Sequence, residues 1–451
     1  MRSSRLVPPV RRTARRWRTP PAILHGGEAF EGAAVLNEMD GPLGVLLFQL
    51  ARDVYAWSAT PPEHRAGLFE PGADEGLAAL LRAADADLQL ETALLALVRM
   101  TGAPEGATAE QVAVACQHVA LWADQNGHLE TAIAFSQGAA VVMPHEAALS
   151  FAVGRLARRR AEYPRAETWY RRAVALARQS GDWSTYSISF LGLGTLYLQR
   201  GKLAAARRFL LRALRTARRH SLRGLQGSAL HDLATVASDM GQAQEAERLA
   251  RQAFEMYGPE HPRLVFLAAD VAYFWIERGR FRPALTVLQA LVHHMQRREE
   301  RVMAQANLVR AAAGAGERRI FEQTWEDVWD RMSRTQSPEN AATVMLELAR
   351  GAAMLGEHER AQAAAERAVQ VARERGEAKV LLTAESVLDQ VRRTRGVKAR
   401  AAAAEPAEAA EPAETFAMDL VRTLNASLVA VTGAGPGPRG WIHNPPHRQA
   451  R

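Results

Sequence analysis

The sequence predicts an all-α protein, a solenoid of about seven stacked helix pairs with a helical cap before the array and one tethered helix after it. Between about 108 and 394, small residues recur at equivalent positions every 34 to 40 residues. A turn residue and further small residues stand at matching offsets in nearly every interval, and aromatic residues make up only 6% of the chain. With few bulky aromatic side chains, helices can pack closely against each other. A repeat period of this length is typical of stacked helical units rather than of a globular enzyme core.

Two segments precede the array. Residues 1–20 are predicted to be a disordered basic arm, because prolines interrupt an arginine-rich stretch with few apolar residues. Residues 21–107 are predicted to form a helical cap, with an amphipathic helix over about 39–58 and a helical pattern over 74–101. Terminal units of solenoids are atypical because one of their faces has no neighbour.

Within the array, 108–394, the turn between paired helices is the clearest repeated position. Glycine occupies six of the seven turns, as expected at a helix end that needs a left-handed residue. The seven positions are Gly127, Ala161, Gly201, Gly241, Gly279, Gly316 and Gly356.

Small residues also recur inside the paired helices. In the two most regular units the first helix carries Gly154 or Gly194, and the second carries Ala166 or Ala206. A small residue on each helix is what close crossing of an antiparallel pair requires.

The consensus of leucine-glycine, tyrosine, glycine, alanine, aromatic residue and alanine resembles the tetratricopeptide repeat. The best match is 187–220, with Leu193, Gly194, Tyr197, Ala206 and Ala213. The period of 37–40 residues in most units resembles the long repeats of bacterial transcriptional and peptide-sensing regulators. The resemblance implies a right-handed superhelix whose first helices line a concave groove.

Three segments follow the array. Residues 395–414 are predicted to be an Ala/Glu/Pro linker, 415–431 a short amphipathic helix, and 432–451 a disordered tail. An apolar helix on a tether can dock on its own array or bind a second protein. The sequence leaves both arrangements open, including docking within a homo-oligomer.

Composition limits the class of protein and its expected cellular location. The net charge is +8 and comes almost entirely from arginine, which reflects either codon usage in a GC-rich genome or selection for acidic partners. The single cysteine, Cys116, excludes an intramolecular disulfide. No run approaches the roughly 20 apolar residues that span a bilayer, and no apolar segment follows the basic N-terminus as in a secretory signal. The sequence favours a cytoplasmic, bacterial protein.

The motifs of catalysis and cofactor binding are not found. The chain carries no GxxxxGK[ST] phosphate loop, no HExxH metal motif and no GxSxG nucleophile elbow. His293 and His294 have no second cysteine or carboxylate pair nearby to complete a metal site. The sequence therefore predicts no enzymatic activity, no cofactor and no metal.

Two surfaces remain as candidates for partner binding, and the first is the groove. The resemblance places these first-helix residues there: Gln117, Arg155, Arg159, Gln199, His231, Thr235, Tyr273, Glu277, Arg310 and Arg350. A solvated helix face is the alternative for each. The lysines and asparagines with which chaperone-binding members of the family clamp a peptide carboxylate are absent, apart from Asn307 as the sole asparagine in a first helix.

The second candidate is a basic helix face. Nine basic residues and no acidic one lie between Trp183 and His231. Four share one face of a second helix, because they follow helical spacing: Arg208, Arg212, Arg215 and Arg219. An acidic protein partner suits this face better than nucleic acid, since interleaved aromatics are missing. Solvated arginines, or pairing with Glu245 and Glu247 of the next unit, are the alternatives.

The sequence thus predicts a non-enzymatic scaffold or adaptor that binds a protein or peptide through the groove and the basic helix face. The part of the partner that contacts the basic face is expected to be acidic. One alternative is a peptide- or ligand-sensing regulator of transcription that acts through a partner protein. Another is a direct nucleic-acid binder, whose affinity would fall steeply with salt.

Overall fold

The computed structural model describes residues 34–84, 86–295, 297–334, 340–394 and 407–432. All regular structure within these ranges is helical, with 20 α-helices and one short 3-10 helix, Pro62–His64. The predicted arm 1–20 and nearly all of the predicted tail 432–451 lie outside the described residues. Contacts divide the chain into two units, which meet between Asp232 and Leu233 in the sequence.

The first unit contains ten whole helices: α1 (Val35–Glu38), α2 (Gly41–Ala59), α3 (Ala73–Ala83), α4 (Leu88–Gly102), α5 (Ala109–Gln125), α6 (Leu129–Val142), α7 (Ala147–Arg159), α8 (Tyr163–Ser180), α9 (Trp183–Gln199) and α10 (Leu203–Arg219). The helix α11 (Arg223–Asp239) spans the division. The second unit contains α12 (Ala243–Met256), α13 (Leu264–Ile276), α14 (Phe281–Leu291), α15 (Arg298–Ala315), α16 (Arg318–Arg334), α17 (Ala341–Met354), α18 (His358–Glu374), α19 (Ala378–Thr394) and α20 (Ala407–Thr432).

The predicted turn positions are confirmed. Each of the seven lies between consecutive helices and has a φ between 62° and 84°. Glycine adopts this left-handed conformation without strain, whereas Ala161, with φ 62°, carries a Cβ that disfavours it.

The small residues of the first unit allow a large ring to pack between helices. Tyr170 of α8 is 1% exposed. A Cβ built on Gly154 of α7 would lie 2.8 Å from its ring, and one built on Gly192 of α9 would lie 2.5 Å away. A Cβ built on Gly194 of α9 would likewise lie only 2.4 Å from the side chain of Leu210 in α10. Three consecutive helices therefore meet where glycine leaves room.

One contact between the cap region and the array is made by the carboxylate of Glu38. Glu38 of α1 accepts hydrogen bonds from the backbone N–H groups of Glu130 at 2.7 Å and Thr131 at 2.9 Å, and from the Thr131 hydroxyl at 2.9 Å. These donors belong to the first turn of α6, where a negative charge also meets the positive end of the helix dipole.

The helical pattern predicted over 74–101 is formed by two helices, α3 and α4. Asp87 ends the connection between them, because its carboxylate caps α4 by accepting the N–H of Leu90 at 2.9 Å. The same carboxylate accepts the indole N–H of Trp122 in α5 at 2.8 Å, and these hydrogen bonds hold the pKa of Asp87 below its ordinary value.

The last helix begins earlier than predicted. α20 starts at Ala407 rather than at 415, so 407–414 continue the amphipathic helix instead of belonging to the linker. It packs on α13 and α14 of its own unit through Phe416, Leu420 and Leu424, all at most 2% exposed. Of the two arrangements open from the sequence, α20 adopts docking on its own array.

Gly192→Ala should lower the free energy of unfolding by about 1–3 kcal/mol, because the added methyl group must displace the enclosed ring of Tyr170. Gly76→Ala in α3 is the matched control, since nothing lies within 4 Å of a Cβ at that position. The control should be neutral or gain up to about 1 kcal/mol from helix propensity. Urea denaturation of both variants measures the difference, and equal effects would contradict the close crossing.

Asp53 of α2 makes stability depend on pH. Burial raises the pKa of its carboxyl from 3.8 to about 6, against the opposing effects of Arg52 and of the Thr101 hydroxyl, 3.5 Å away. The folded state therefore favours the protonated acid. This contribution is fully present below about pH 4 and is lost as the pH rises through 6.

Asp53→Asn should accordingly raise the free energy of unfolding near pH 7.5 by about 1–2 kcal/mol, less than the full shift implies because the group is partly solvated. The advantage over wild type should vanish near pH 4, where the native carboxyl is neutral. Thermal melts of both proteins across this range measure it. A variant advantage that is constant with pH would show that Asp53 does not titrate as described.

Candidate binding surfaces

In the first unit, polar side chains connect consecutive first helices, and the predicted groove residues Arg155 and Arg159 take part. Asp124 of α5 accepts the guanidinium of Arg155 at 3.0 Å and also pairs with Arg159. Two repeats later, the Thr195 hydroxyl of α9 donates to Asp232 of α11 at 3.3 Å. Asp124 was not predicted from the sequence. The signal that could have found it is an acid about one repeat period before an arginine on a first helix.

The predicted groove residues on α5, α9 and α11 differ in the exposure of their side chains. Gln117 and Gln199 are exposed, and Thr235 is half-buried. His231 is only 2% exposed, so its predicted place on an open groove surface is corrected, because packing covers the side chain.

In the second unit, four of the charged side chains form one cluster. Arg310 of α15 lies 2.5 Å from Glu277, the C-cap residue of α13, and 2.8 Å from Glu347 of α17. Arg350 lies 2.9 Å from Glu347 and 3.6 Å from Glu277. Glu347 is 1% exposed and was missed in the sequence. The two positive and two negative charges balance, so the cluster has no net charge.

A cavity of about 330 Å³ lies in the same unit. Its lining is mostly apolar and comes from α13, α14, α15 and the segments beside them: Phe266, Ala269, Leu288, Met295, Glu300, Met303, Ala304, Asn307 and Asn340. By helical spacing, one face of α13 and its C-cap carries Phe266, Ala269, Tyr273 and Glu277. The cavity therefore lies at the first part of this face, and the charge cluster lies at its C-terminal end.

Asn307 is the unusual group of this cavity. Its side chain is 7% exposed, and its Oδ1 atom has no hydrogen-bond partner within the described part of the chain. A buried polar group left unpaired costs about 1–3 kcal/mol, so it indicates a place where a ligand could supply the missing bond. We name Tyr273, Glu277, Asn307, Arg310, Glu347 and Arg350, together with this cavity, the first-helix face of unit 2.

The predicted arginine face on α10 is exposed. Arg208, Arg212, Arg215 and Arg219 all lie at the surface, and none of them forms an ion pair with a carboxylate of the described residues. Glu245 and Glu247, the alternative partners, form ion pairs with Arg248 and Arg251 of their own helix.

Arg212 differs from the other members of the arginine face. Its guanidinium donates to the Tyr186 hydroxyl at 2.8 Å and lies 4.6 Å from the centroid of the Phe190 ring. It therefore packs on α9. The fold also brings an aromatic pair to the end of α10, where the Trp183 and His220 rings stack with centroids 4.7 Å apart. The sequence did not indicate this pair, because its members are separated by a whole helix pair.

Other site chemistries have little support. In the described ranges, no three His, Cys, Asp or Glu side chains are grouped so as to hold a metal ion. Over the same residues, no helix is both long and apolar enough to cross a membrane. Cys116 is buried, and burial raises the pKa of its thiol far above the ordinary value, which disfavours the reactive thiolate.

Arg310→Ala should lower the free energy of unfolding by about 3–5 kcal/mol, because it leaves the charge of Glu347 buried with only Arg350 beside it. Arg159→Ala, at the more exposed pair with Asp124, should cost less than about 1 kcal/mol. Adding Glu347→Gln to Arg310→Ala should restore part of the loss. Chemical denaturation of the three proteins tests this, and equal costs for the two arginines would contradict the buried pair.

Comparison with known proteins adds to this geometry. A tetratricopeptide repeat model matches residues 145–219, a second matches 227–263, and the model of anaphase-promoting complex subunit 5 matches 321–395. No curated protein matches the sequence.

Several solved structures are similar at low identity. A kinesin light chain of Podospora anserina with nearly identical TPR-like repeats is 20% identical, with 43% of this chain and 97% of that chain covered and a TM-score of 0.35. A Rap protein in complex with competence and sporulation factor is 11% identical, at 78% and 98% coverage and a TM-score of 0.42. Aspartyl phosphate phosphatase F from Bacillus subtilis is 10% identical, at 82% and 98% coverage and a TM-score of 0.45.

The two repeat models cover most of the segment from α7 to α12. There the helices are joined by left-handed turns at the predicted spacing, and α7 to α10 cross closely at glycine and alanine. On these grounds the segment from α7 to α12 is built of tetratricopeptide-like repeats, and the described part of the chain is an all-helical repeat structure.

Proposed function

We propose that the protein is a non-catalytic scaffold that binds a segment of a partner protein on the first-helix face of unit 2. The observation that carries this proposal is the buried Oδ1 atom of Asn307, which has no hydrogen-bond partner among the described residues and lies at a mostly apolar cavity. A scaffold role agrees with the repeat family, in which stacked helix pairs present extended binding surfaces.

The chemistry of the cavity favours a peptide. The unpaired Oδ1 of Asn307 is a hydrogen-bond acceptor, so it can accept the N–H group of a peptide bond. The cavity volume of about 330 Å³ suits one or two apolar side chains, and Phe266 and Met303 provide apolar contacts. The neighbouring charge cluster is neutral overall, so it favours a polar flanking segment without a requirement for net charge.

The arginine face of α10 supports a second contact. Its exposed guanidiniums have no carboxylate partner in the described part of the chain. Like charges at helical spacing destabilise a helix by a few tenths of a kcal/mol per pair. An acidic segment of the bound protein would remove this repulsion and pair with arginine in a bidentate manner. Electrostatic attraction of this kind increases the rate of association more than the final affinity.

Affinity capture from nuclease-treated lysate tests both surfaces. Asn307→Leu removes the amide, and Ala269→Phe fills the cavity. Ala363→Phe in α18 is the matched control for an added ring, since Ala363 is exposed. The proposal expects proteins that wild type and the control retain and that both cavity variants lose. Asn307→Leu should also melt at a higher temperature, because it removes an unpaired buried group.

A further variant, with Glu at 208, 215 and 219, tests the arginine face. Arg212 is left unchanged because it packs on Tyr186. The same partner should bind this variant more weakly, and most of the loss should disappear in high salt. Capture that is identical for wild type and both cavity variants would overturn the proposed site. In a parallel capture without nuclease treatment, loss of nucleic acid alone from the arginine variant would assign α10 to nucleic acid instead.

A further inference from the structure

The cavity beside Asn307 also has a carboxylate in its lining. Glu300 and Asn307 both belong to α15, and both line the cavity of about 330 Å³. Two further lining residues, Met303 and Ala304, lie between them at helical spacing, so the four residues share one face of the helix. This face therefore has a charged acceptor at its first residue, an amide at its last residue and apolar side chains between them.

The two polar ends of this face differ in burial. The Asn307 side chain is 7% exposed, and its Oδ1 atom has no hydrogen-bond partner in the described part of the chain. Glu300 is half-buried, so its carboxylate lies between the cavity and solvent. A ligand that donates a hydrogen bond at the inner end and carries a positive charge at the outer end would match both groups.

The charge that the cavity presents to a ligand is negative. Among the described residues that line it there is no lysine, arginine or histidine. The arginine next to Glu300 in sequence, Arg301, donates from Nε at 3.1 Å and from Nη2 at 2.7 Å to the backbone carbonyl of Met295. Its guanidinium is thus bound to the backbone rather than placed in the cavity lining.

The distance between the two polar ends selects a long side chain. Seven residues of α-helix separate Glu300 from Asn307, which corresponds to about 10 Å along the axis. The bonds from the Cα atom of an extended lysine to its ammonium span about 6 Å. A hydrogen bond of about 3 Å at each end brings the reach to about 12 Å. A leucine or phenylalanine in the same place is too short to approach Glu300.

We propose that the segment bound at the first-helix face of unit 2 places a lysine side chain in this cavity. Its backbone N–H donates to Oδ1 of Asn307, its methylene groups lie against Met303 and Ala304, and its ammonium pairs with the Glu300 carboxylate. The apolar stem and charged head of lysine suit such a cavity with a carboxylate at its edge. This inference rests on the proposed function and names the side chain that the partner must carry.

Lysine fits the lining better than arginine does. A guanidinium has five N–H groups in a fixed plane, whereas an ammonium has three donors that rotate freely. Glu300 is the one charged acceptor among the described lining residues, and solvent at the outer end can accept the remaining donors of an ammonium.

Selection of random short peptides by phage display on the full chain tests the preference. Peptides that the wild type retains and Ala269→Phe does not retain are sequenced, and they should share a lysine at one position. A selected peptide is then synthesised with norleucine in place of this lysine, which keeps the apolar stem and removes the ammonium. Fluorescence anisotropy should show that the norleucine peptide binds about ten-fold more weakly to wild type.

Variants of the carboxylate locate the source of this preference. Glu300→Gln should bind the lysine and norleucine peptides with equal affinity. Glu359→Gln, which removes an exposed carboxylate of α18, is the matched control and should keep the preference of wild type. Glu300→Lys should reverse it and favour a peptide with glutamate in place of the lysine. Because each preference is a ratio of two affinities on the same protein, a general loss of stability does not imitate these results.

The outcomes separate this inference from the proposed function. Selected peptides that need the cavity but share no lysine would overturn the lysine and leave the binding site standing, as would a preference that Glu300→Gln leaves unchanged. The absence of any peptide that distinguishes wild type from Ala269→Phe would overturn the proposed site itself. Competition by n-pentylamine as strong as that by the unlabelled peptide would assign the cavity to a free amine and overturn a lysine of a partner segment.

Discussion

Close approach of neighbouring helices is the constraint on which the other features of this protein depend. Tyr170 packs between α7 and α9 only because Gly154 and Gly192 have no side chain. In the second unit, Phe281 lies so close to Gly314 that a Cβ there would be 2.3 Å from its ring. Protein interiors are packed too densely for such a methyl group to be absorbed without movement. These small residues determine which helix faces meet, and so which faces remain open.

The ion pairs between first helices follow from the same packing. Consecutive first helices lie near enough for Glu277, Arg310 and Glu347 to join three of them, although they are about one repeat period apart in sequence. Since Glu347 is buried, loss of its pairing would leave a charge without compensation. Arg310 therefore holds neighbouring helices in register, and this structural role limits its freedom to bind a ligand. Asn307 lies one turn before Arg310 on α15, and its Oδ1 atom has no hydrogen-bond partner among the described residues.

The repeat architecture thus carries three surfaces with different chemistry. The α10 face is cationic and exposed. The cavity beside Asn307 is mostly apolar, with the Oδ1 atom of Asn307 unpaired among the described residues. The surface under α20 is aromatic and is covered by that helix. A stacked helical array can support such differences because each helix pair contacts mainly its neighbours, so the outer residues of one pair vary without disturbing the others.

The sequence by itself determined the fold class and the positions of the turns, because both depend on local features: helical periodicity, a left-handed residue at the end of a helix and small residues at crossings. It also identified the arginine face, since spacing along a single helix needs no tertiary information. The partners of those residues were decided by tertiary structure alone. Asp124, Glu347 and the stacked Trp183 and His220 come from different helices, and their meeting depends on how consecutive pairs pack. The burial of His231, the unpaired state of Asn307 and the docking of α20 likewise depend on which surfaces cover them, and no periodicity within one helix records that.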